Sequence, residues 1–276
     1  MFKTYKCIFD NNVELKIPIY SGDNSDKKKM YDFYNGGSLL LREKKKRQII
    51  INLINKSLID KNQNIIDAGA FLGDTSLPLS LNITGNLYTI DPGIINMEII
   101  KEIIDLNGIK NIKLLPYCLS DTYKKLYYNK GKFGINFTSF SDNEVNKEYS
   151  VESYSLDILY NKNIIENISL LHIDVEGQEL AVIKGSINLI TKYNPIIIFE
   201  GHIKTNTSQV ISCCDFLKNI NYNLFMINED AGNPVDCRNF LCIPTNKITE
   251  FNNNFDFMNF ITNVTNEYNN IKEIEL

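Results

Sequence analysis

The chain is poor in the residues that hold structural metal. It has two histidines, and of its six cysteines (Cys7, Cys118, Cys213, Cys214, Cys237 and Cys242) none stands in a C-x-x-C pair. A structural zinc site is therefore not expected, and reduced thiols in a cytosol-like compartment fit best. No apolar run is long enough to span a bilayer, so no membrane partner is expected. Met1-Phe2-Lys3-Thr4-Tyr5 leads into polar residues with no apolar core of a secretory signal. The expected location is the cytoplasm, or a host's cytoplasm if the chain is viral. Positive charge is not in surplus: 29 Lys and Arg stand against 33 Asp and Glu, for a formal net charge of −4. That balance disfavours nucleic acid as a partner. The one basic run, Lys44-Lys45-Lys46-Arg47, reads as a solvated helix face. Nowhere does G-x-G-x-x-G occur, the pattern that seats a dinucleotide pyrophosphate on a helix N-terminus.

With 276 residues, 43% of them hydrophobic and 22% charged, the chain can form a large soluble α/β domain with an extension. Its richness in Asn, Ile and Lys points to an AT-rich genome, such as that of a protist, a low-GC bacterium or a large DNA virus. Residues 1–60 read as a hairpin and helix extension, residues 61–250 as the main domain and residues 251–276 as a tail. In the extension, Cys7-Ile8-Phe9 and Val13 to Ile17 flank a turn at Asp10-Asn11-Asn12, and a helix is expected from Glu43 to Leu58. From residue 64, short apolar strands alternate with helical patterns: strands at 65–66, 87–90, 112–115, 170–173 and 196–199, and helices over 97–106 and 179–190. Such alternation predicts a doubly wound, mostly parallel sheet with helices on both faces. Two late strands, 224–227 and 240–243, have no long helix between them. Residues 123–160 form an insertion.

Ligands of open parallel sheets bind at the carboxyl ends of the strands, where strand order reverses. Four strands here end in acids: Asp67, Asp91, Asp174 and Glu200. The first opens Asp67-Ala68-Gly69-Ala70-Phe71-Leu72-Gly73-Asp74-Thr75. Gly69 allows a tight turn and close approach of a ligand, Gly73 allows close packing at the helix start, and Thr75 is a candidate cap. A carboxylate at Asp67 would repel a pyrophosphate but suits an ammonium. S-adenosylmethionine carries an ammonium and a sulfonium and no phosphate. Asp91 has the spacing to accept two hydrogen bonds from ribose hydroxyls. Ser120 and Asp121, in Cys118-Leu119-Ser120-Asp121, can line an adenine pocket or simply form an Asx-type turn. In His172-Ile173-Asp174-Val175-Glu176-Gly177-Gln178-Glu179, Asp174 and Glu176 can approach one site, while Glu179 serves the first helical turn. His172 reads as a core residue.

These elements resemble the FkbM family of methyltransferases. The resemblance rests on Asp67-Ala68-Gly69-Ala70 with Gly73, Asp91-Pro92, Leu119-Ser120-Asp121, Ile173-Asp174-Val175-Glu176-Gly177 with Glu179, Lys184-Gly185, and Pro195 to Glu200. It covers roughly residues 63–203, about half the chain. It implies a Rossmann-like methyltransferase fold with a seven-stranded sheet, S-adenosyl-L-methionine as donor, and O-methylation, often of sugar hydroxyls. The family more often has Glu where this chain has Asp91. The poorly matching segments 1–60 and 123–160 are expected to build the acceptor side, the first as a cap.

The donor is already activated, so the protein supplies alignment and a base for the weakly nucleophilic hydroxyl. Candidate catalytic residues are Asp174, Glu176, Glu200 and His202; an imidazole ordinarily titrates near neutrality. Candidate cofactor residues are Asp67, Gly69, Ala70, Gly73, Thr75, Asp91, Ser120 and Asp121. Asp174, Glu200 and His202 would also suit magnesium or manganese, but the favoured scheme has no metal. The expected partner is a small-molecule or glycan acceptor. In the insertion, Tyr123, Tyr127, Tyr128, Phe133, Phe137 and Phe140, with Asn129, Asn136, Thr138 and Ser139 between them, offer aromatic faces and hydrogen bonds that can hold a sugar. Two rivals stand beside this reading. A nicotinamide-dependent oxidoreductase or epimerase of a nucleotide sugar should carry G-x-G-x-x-G and a helical Tyr-x-x-x-Lys. Of the pairs with that spacing, Tyr128 and Lys132 lie in an expected loop, and Tyr268 and Lys272 in the tail. A non-catalytic module of the same fold would be expected to lose the acids that this chain retains.

Overall fold

Near-continuous apolar runs, whose side chains point alternately to either side, give the central strands two buried faces, which is what a sheet covered on both sides requires. The computed structural model describes residues 4–8, 13–35, 39, 43–128, 149–229 and 236–266. The expected turn at 10–12, Phe133, Phe137 and Phe140 of the insertion, and the Tyr268–Lys272 pair lie outside the described residues. Strands β1 (Thr4–Ile8) and β2 (Glu14–Pro18) form an antiparallel hairpin. Helices α1 (Ser25–Asn35) and α2 (Lys44–Asn55) follow. Then β3 (Asn64–Ala68), α3 (Ser76–Ser80), β4 (Leu87–Ile90), α4 (Ile94–Asn107) and β5 (Ile112–Leu115) alternate. A small separate sheet joins β6 (Cys118–Leu119), β7 (Lys124–Tyr128) and β8 (Tyr149–Tyr154) in the order β6-β8-β7. The chain returns through α5 (Leu156–Asn161), β9 (Ile168–Ile173), α6 (Glu179–Lys184), α7 (Ile187–Tyr193), β10 (Ile196–His202) and α8 (Thr207–Asn219). It ends with β11 (Tyr222–Ile227), β12 (Cys237–Pro244), α9 (Ile248–Asn254) and β13 (Ile261–Asn263).

The central sheet has the order β13-β11-β12-β10-β9-β3-β4-β5. Strands β10, β9, β3, β4 and β5 run parallel, and β12 runs antiparallel to both its neighbours. The expected doubly wound sheet is there, with the short edge strand β13 added to the seven expected strands. Strand order reverses between β3 and β9, which puts the binding edge at the carboxyl ends of β3, β4, β9 and β10. Helix α2 lies before residue 61 and β13 beyond residue 250, and both pack into this sheet's layers.

On one face, Ile65, Leu170, Ile196, Ile198, Leu241 and Ile243 pack with Ile49, Ile50, Leu53 and Ile54 of α2. On the other, Ile66, Leu171, Ile173, Ile197, Phe199 and Phe240 pack with Leu156, Val182, Ile183, Val210 and Leu217 of α5, α6 and α8. The β1-β2 hairpin and α1 pack with α4 and with Leu72. By the same alternation, Asp67, His172, Glu200 and Asn239 continue the α2 face toward its carboxyl edge.

Two local expectations are corrected. The helix expected over 179–190 is two helices, broken at Gly185 and Ser186. The end of β6 passes there so closely that a Cβ on Gly185 would meet the Ser120 carbonyl oxygen at 2.4 Å. The run Lys44 to Arg47 is not a solvated face: Lys46 is 0% and Arg47 1% exposed. Both side chains turn inward because the sheet edge beneath them is acidic.

Gly69 shows what the binding edge demands of the backbone. Its φ is +83°, and a Cβ there would lie 1.7 Å from the Asp174 carbonyl oxygen. We expect Gly69→Ala to destabilise the fold by roughly 3 kcal/mol or more, from the left-handed conformation and the overlap with backbone together. A urea midpoint equal to wild type, at unchanged slope, would show that β3 and β9 do not meet this closely.

Candidate active site

Helix α2 begins at Glu43, a non-glycine residue at φ 54° whose side chain makes no capping bond. The free N–H groups of the first turn are met from across the molecule. The Glu229 carboxylate, just after β11, accepts from Lys45 N at 2.7 Å and from Lys46 N at 2.8 Å. A carboxylate at a helix N-terminus is also favoured by the helix dipole. This cap seats the start of α2 over the carboxyl edge of the sheet.

From there a chain of polar contacts runs into the glycine turn. Lys46 Nζ donates to Glu43 Oε2 at 2.5 Å and lies 3.0 Å from His172 Nε2. An ammonium has only protons to give, so Nε2 accepts and Nδ1 carries the ring proton. Nδ1 faces Asp67 Oδ1 at 2.7 Å. The other Asp67 oxygen accepts from Ser76 Oγ at 2.5 Å, and Ser76 lies 2.9 Å from Thr89 Oγ1. Burial by itself would raise Glu43; the Lys46 ammonium outweighs it and holds the carboxyl at about 2. Burial likewise opposes charge on Asp67, and the bonds from His172 and Ser76 hold it below the ordinary range. Asp67 is 0% exposed. Contact between this carboxylate and a ligand's ammonium, expected from the sequence, would require the packing that buries Asp67 to open. His172 is buried, in accord with its reading as a core residue.

Asp174, Glu200 and Glu43 bring carboxylate oxygens within 4.8 Å of one another. Asp174 is raised to about 7 by burial and then by the charge of Glu43, with Lys46 working the other way. Glu200 is raised further, by burial, by the charges of Asp174 and Glu43, and by a hydrogen bond with Asp174. Two carboxyl groups in such a bond share a proton, and burial with their mutual repulsion raises both. The three residues considered for a divalent cation do not converge as a set. Asp174 and Glu200 group with Glu43, where Lys46 already supplies positive charge, and His202 and Glu200 group with Cys237.

His202 Nδ1 lies 3.2 Å from Asp236 Oδ2 and 3.3 Å from Cys237 Sγ. Its Nε2 faces Glu176 at 3.8 Å and Glu200 at 3.9 Å. The Glu176 side chain is 71% exposed. Its backbone is at φ 52°, in a turn held by Glu179, which accepts from Val175 N at 3.3 Å and Gly177 N at 3.0 Å. Glu179 thus clamps the turn that presents Asp174 and Glu176.

On the other side of the switch point, Gly69 N and Ala70 N donate to Ile90 O at 2.8 and 3.1 Å. Gly73 packs against Leu77 and Ile100, as its expected packing role requires. Thr75 is the residue before α3, but its side chain makes no capping bond; the cap expected there is corrected. Asp91 accepts from Phe71 N at 2.9 Å, Gly93 N at 2.7 Å and Asn96 Nδ2 at 3.1 Å. Burial raises it to about 6 against the pull of those bonds. A carboxylate has about four acceptor positions, so one is left for a ribose hydroxyl where two bonds were expected. Asp121 is exposed and accepts from Ser120 Oγ at 3.1 Å. Tyr123 and Tyr154 pack at 5.1 Å between centroids and both donate to Glu152.

The residues that sequence reasoning missed are Glu43, Lys46, Cys237, Asp236 and Asn239. Lys46 lay in a basic run, a visible signal read the wrong way. The others had none, because only strand pairing sets Asn239 opposite Glu200 and Cys237 opposite His202.

The chain matches the family model for the methyltransferase FkbM domain over residues 67–224. Among solved structures it is similar to the methyltransferase FkbM from Methylobacillus flagellatus KT, at 12% identity and a TM-score of 0.50 over 79% of this chain and 55% of that one. It therefore spans little more than half the length of that protein. It also matches an O-methyltransferase from Bacillus cereus in complex with SAH, at 12% identity and a TM-score of 0.45, over 81% of this chain and 92% of that one. No curated protein matches the chain. With an acid-bearing switch point, a Rossmann-like sheet and a family match over more than half its length, the chain belongs to the FkbM methyltransferase family.

Proposed function

We propose that this chain is an S-adenosylmethionine-dependent O-methyltransferase that methylates a hydroxyl of a sugar or glycan. The observation that carries the reading is the Asp174–Glu200 pair, set on the edge of a methyltransferase fold beside the turn at Gly69. The donor set suits S-adenosylmethionine. Asp91 keeps one acceptor position for a ribose hydroxyl, Asp121 is open to an adenine amine, and no phosphate-binding glycine pattern is present. When bound, the donor supplies an activated methyl group. The chain's own residues then align the acceptor, exclude water and take the hydroxyl proton. Asp174 is the base in this scheme, because it titrates near neutrality and sits among buried groups. Glu200, holding a proton, donates to it. His202, Glu176 and the acids remain close enough to orient the acceptor. The aromatic cluster of Tyr117, Tyr123 and Tyr154 gives permissive support for a sugar, whose faces are partly apolar. The cytoplasmic location and the 1–60, 61–250 and 251–276 division remain part of this proposal.

S-adenosylhomocysteine should raise the melting temperature by mass action and NAD should not. Asp91→Ala should weaken donor binding by roughly 1–3 kcal/mol. Tight NAD binding in a calorimetric titration, with no response to S-adenosylhomocysteine, would reject the donor assignment.

Asp174→Asn should nearly abolish turnover while leaving the donor bound. In the wild-type protein kcat/KM should rise as pH passes through about 7, because a base is useful only once its proton is lost. Full activity in Asp174→Asn, or a rate flat across that range, would remove Asp174 as the base. EDTA should have little effect; activity lost to EDTA and restored by magnesium would favour a metal scheme.

A methyl-transfer screen with tritiated donor over nucleotide sugars, glycans, RNA and peptides tests the acceptor. Label is expected in a sugar. Label in RNA or peptide alone would overturn the acceptor class and leave the donor chemistry standing.

A further inference from the structure

The family match begins at residue 67, yet two charged side chains from before that point enter the site. Glu43 and Lys46 come from the start of α2. Both are buried, Lys46 completely. Glu43 is anchored a second time, from β12, where Asn239 Nδ2 donates to its Oε1 at 3.0 Å. The Lys46 ammonium is thus held between Glu43 and His172, away from the bulk solvent that would screen it.

We propose that Lys46 is a positioning residue of the methyl-transfer site: its ammonium holds a negative charge on the Asp174–Glu200 pair, so that a proton acceptor is ready for the substrate hydroxyl. This rests on the methyltransferase reading with Asp174 as base.

Among the described residues, the charged groups around the pair and Lys46 are of unequal sign. From β9 and its turn come His172 and Glu176; from β10, His202; from β3, Asp67; from the turn after it, Asp74; from α2, Glu43, Lys46 and Arg47. Arg47 is turned to Asp74, at 3.8 Å. Lys46 is the cation that acts on Asp174, Glu200 and Asp67 together. Carboxyl oxygens within 4.8 Å of one another repel when ionised, and burial adds to the cost. Without a cation beside them, the pair would hold its protons and could accept none from a substrate. Lys46 is fully buried against Glu43 and His172, so it acts through Asp174 and Glu200.

The test compares Lys46→Met with Glu43→Gln. Both remove one charge at nearly constant shape, and the charges are of opposite sign. In Lys46→Met the acid limb of the kcat/KM profile should move up by about one pH unit or more. In Glu43→Gln it should move down. Lys46→Arg should restore the wild-type limb. An infrared titration of the carboxyl stretches should show the same opposite shifts and needs no turnover. If wild-type protein binds no donor and methylates no acceptor, the functional reading fails, and the infrared shifts still decide the electrostatic part. Shifts of the same sign in the two variants, or activity lost with an unmoved profile and unmoved infrared titration, would make Lys46 merely structural. Should Lys46→Met not fold, the downward shift in Glu43→Gln is required, and its absence overturns the proposal.

Discussion

An ammonium buried in a protein interior carries a desolvation cost of several kcal/mol unless partners are placed around it. Lys46 meets that condition with Glu43 on its own helix and His172 on the sheet. The contact therefore joins two things that are otherwise separate, the lie of α2 and the ionic state of the sheet edge. If α2 were lifted from the edge, Lys46 would lose His172, and the His172–Asp67 pair on the sheet would be opened to water. With α2 in place, Asp67 and Glu200 at the ends of β3 and β10 are buried, and they titrate away from where free carboxylates do.

One face of one sheet serves two ends by this means. Along β3, β9 and β10, every second side chain meets α2. The amino-terminal half of that face is Ile and Leu, packed against Ile49, Ile50, Leu53 and Ile54. The carboxyl half is Asp, His and Glu, packed against Glu43, Lys46 and Arg47. The helix is divided at the same level as the sheet, apolar turns over apolar strands and the charged first turn over the acids. Because apolar packing holds the helix down, the polar half need not be self-sufficient. It can keep an excess of carboxyl groups that would not persist as an isolated cluster. In the proposed reaction, that excess lets one acid hold a proton while its neighbour takes one.

Much of this was legible in the residues. Strand and helix alternation from residue 64 onward, and acids at four strand ends, followed from the short continuous apolar runs and helical patterning that burial on both faces imposes. Glycine at 69 followed from a turn that no side chain fits, and the resemblance carried by Asp174-Val175-Glu176-Gly177 rested on adjacent residues in one turn. Such features are local, and local sequence contains their cause.

What tertiary structure decided was which groups meet. Lys46 in the sequence is one of four consecutive cations, and nothing local distinguishes a solvated lysine from one that faces an acidic edge. Glu229 caps a helix more than 180 residues earlier, and Asn239 reaches Glu43 across 196 residues. Asp67, read as a ligand group, has each oxygen bonded inside the protein, by a histidine 105 residues away and by Ser76. The sequence by itself determined the sheet, its order of elements and the acids on its edge, since each depends on periodicity and turns within a few residues. The charge each acid carries was decided only in the folded molecule. It depends on burial and on the distance to a cation, and both are set by the packing of segments far apart in the chain.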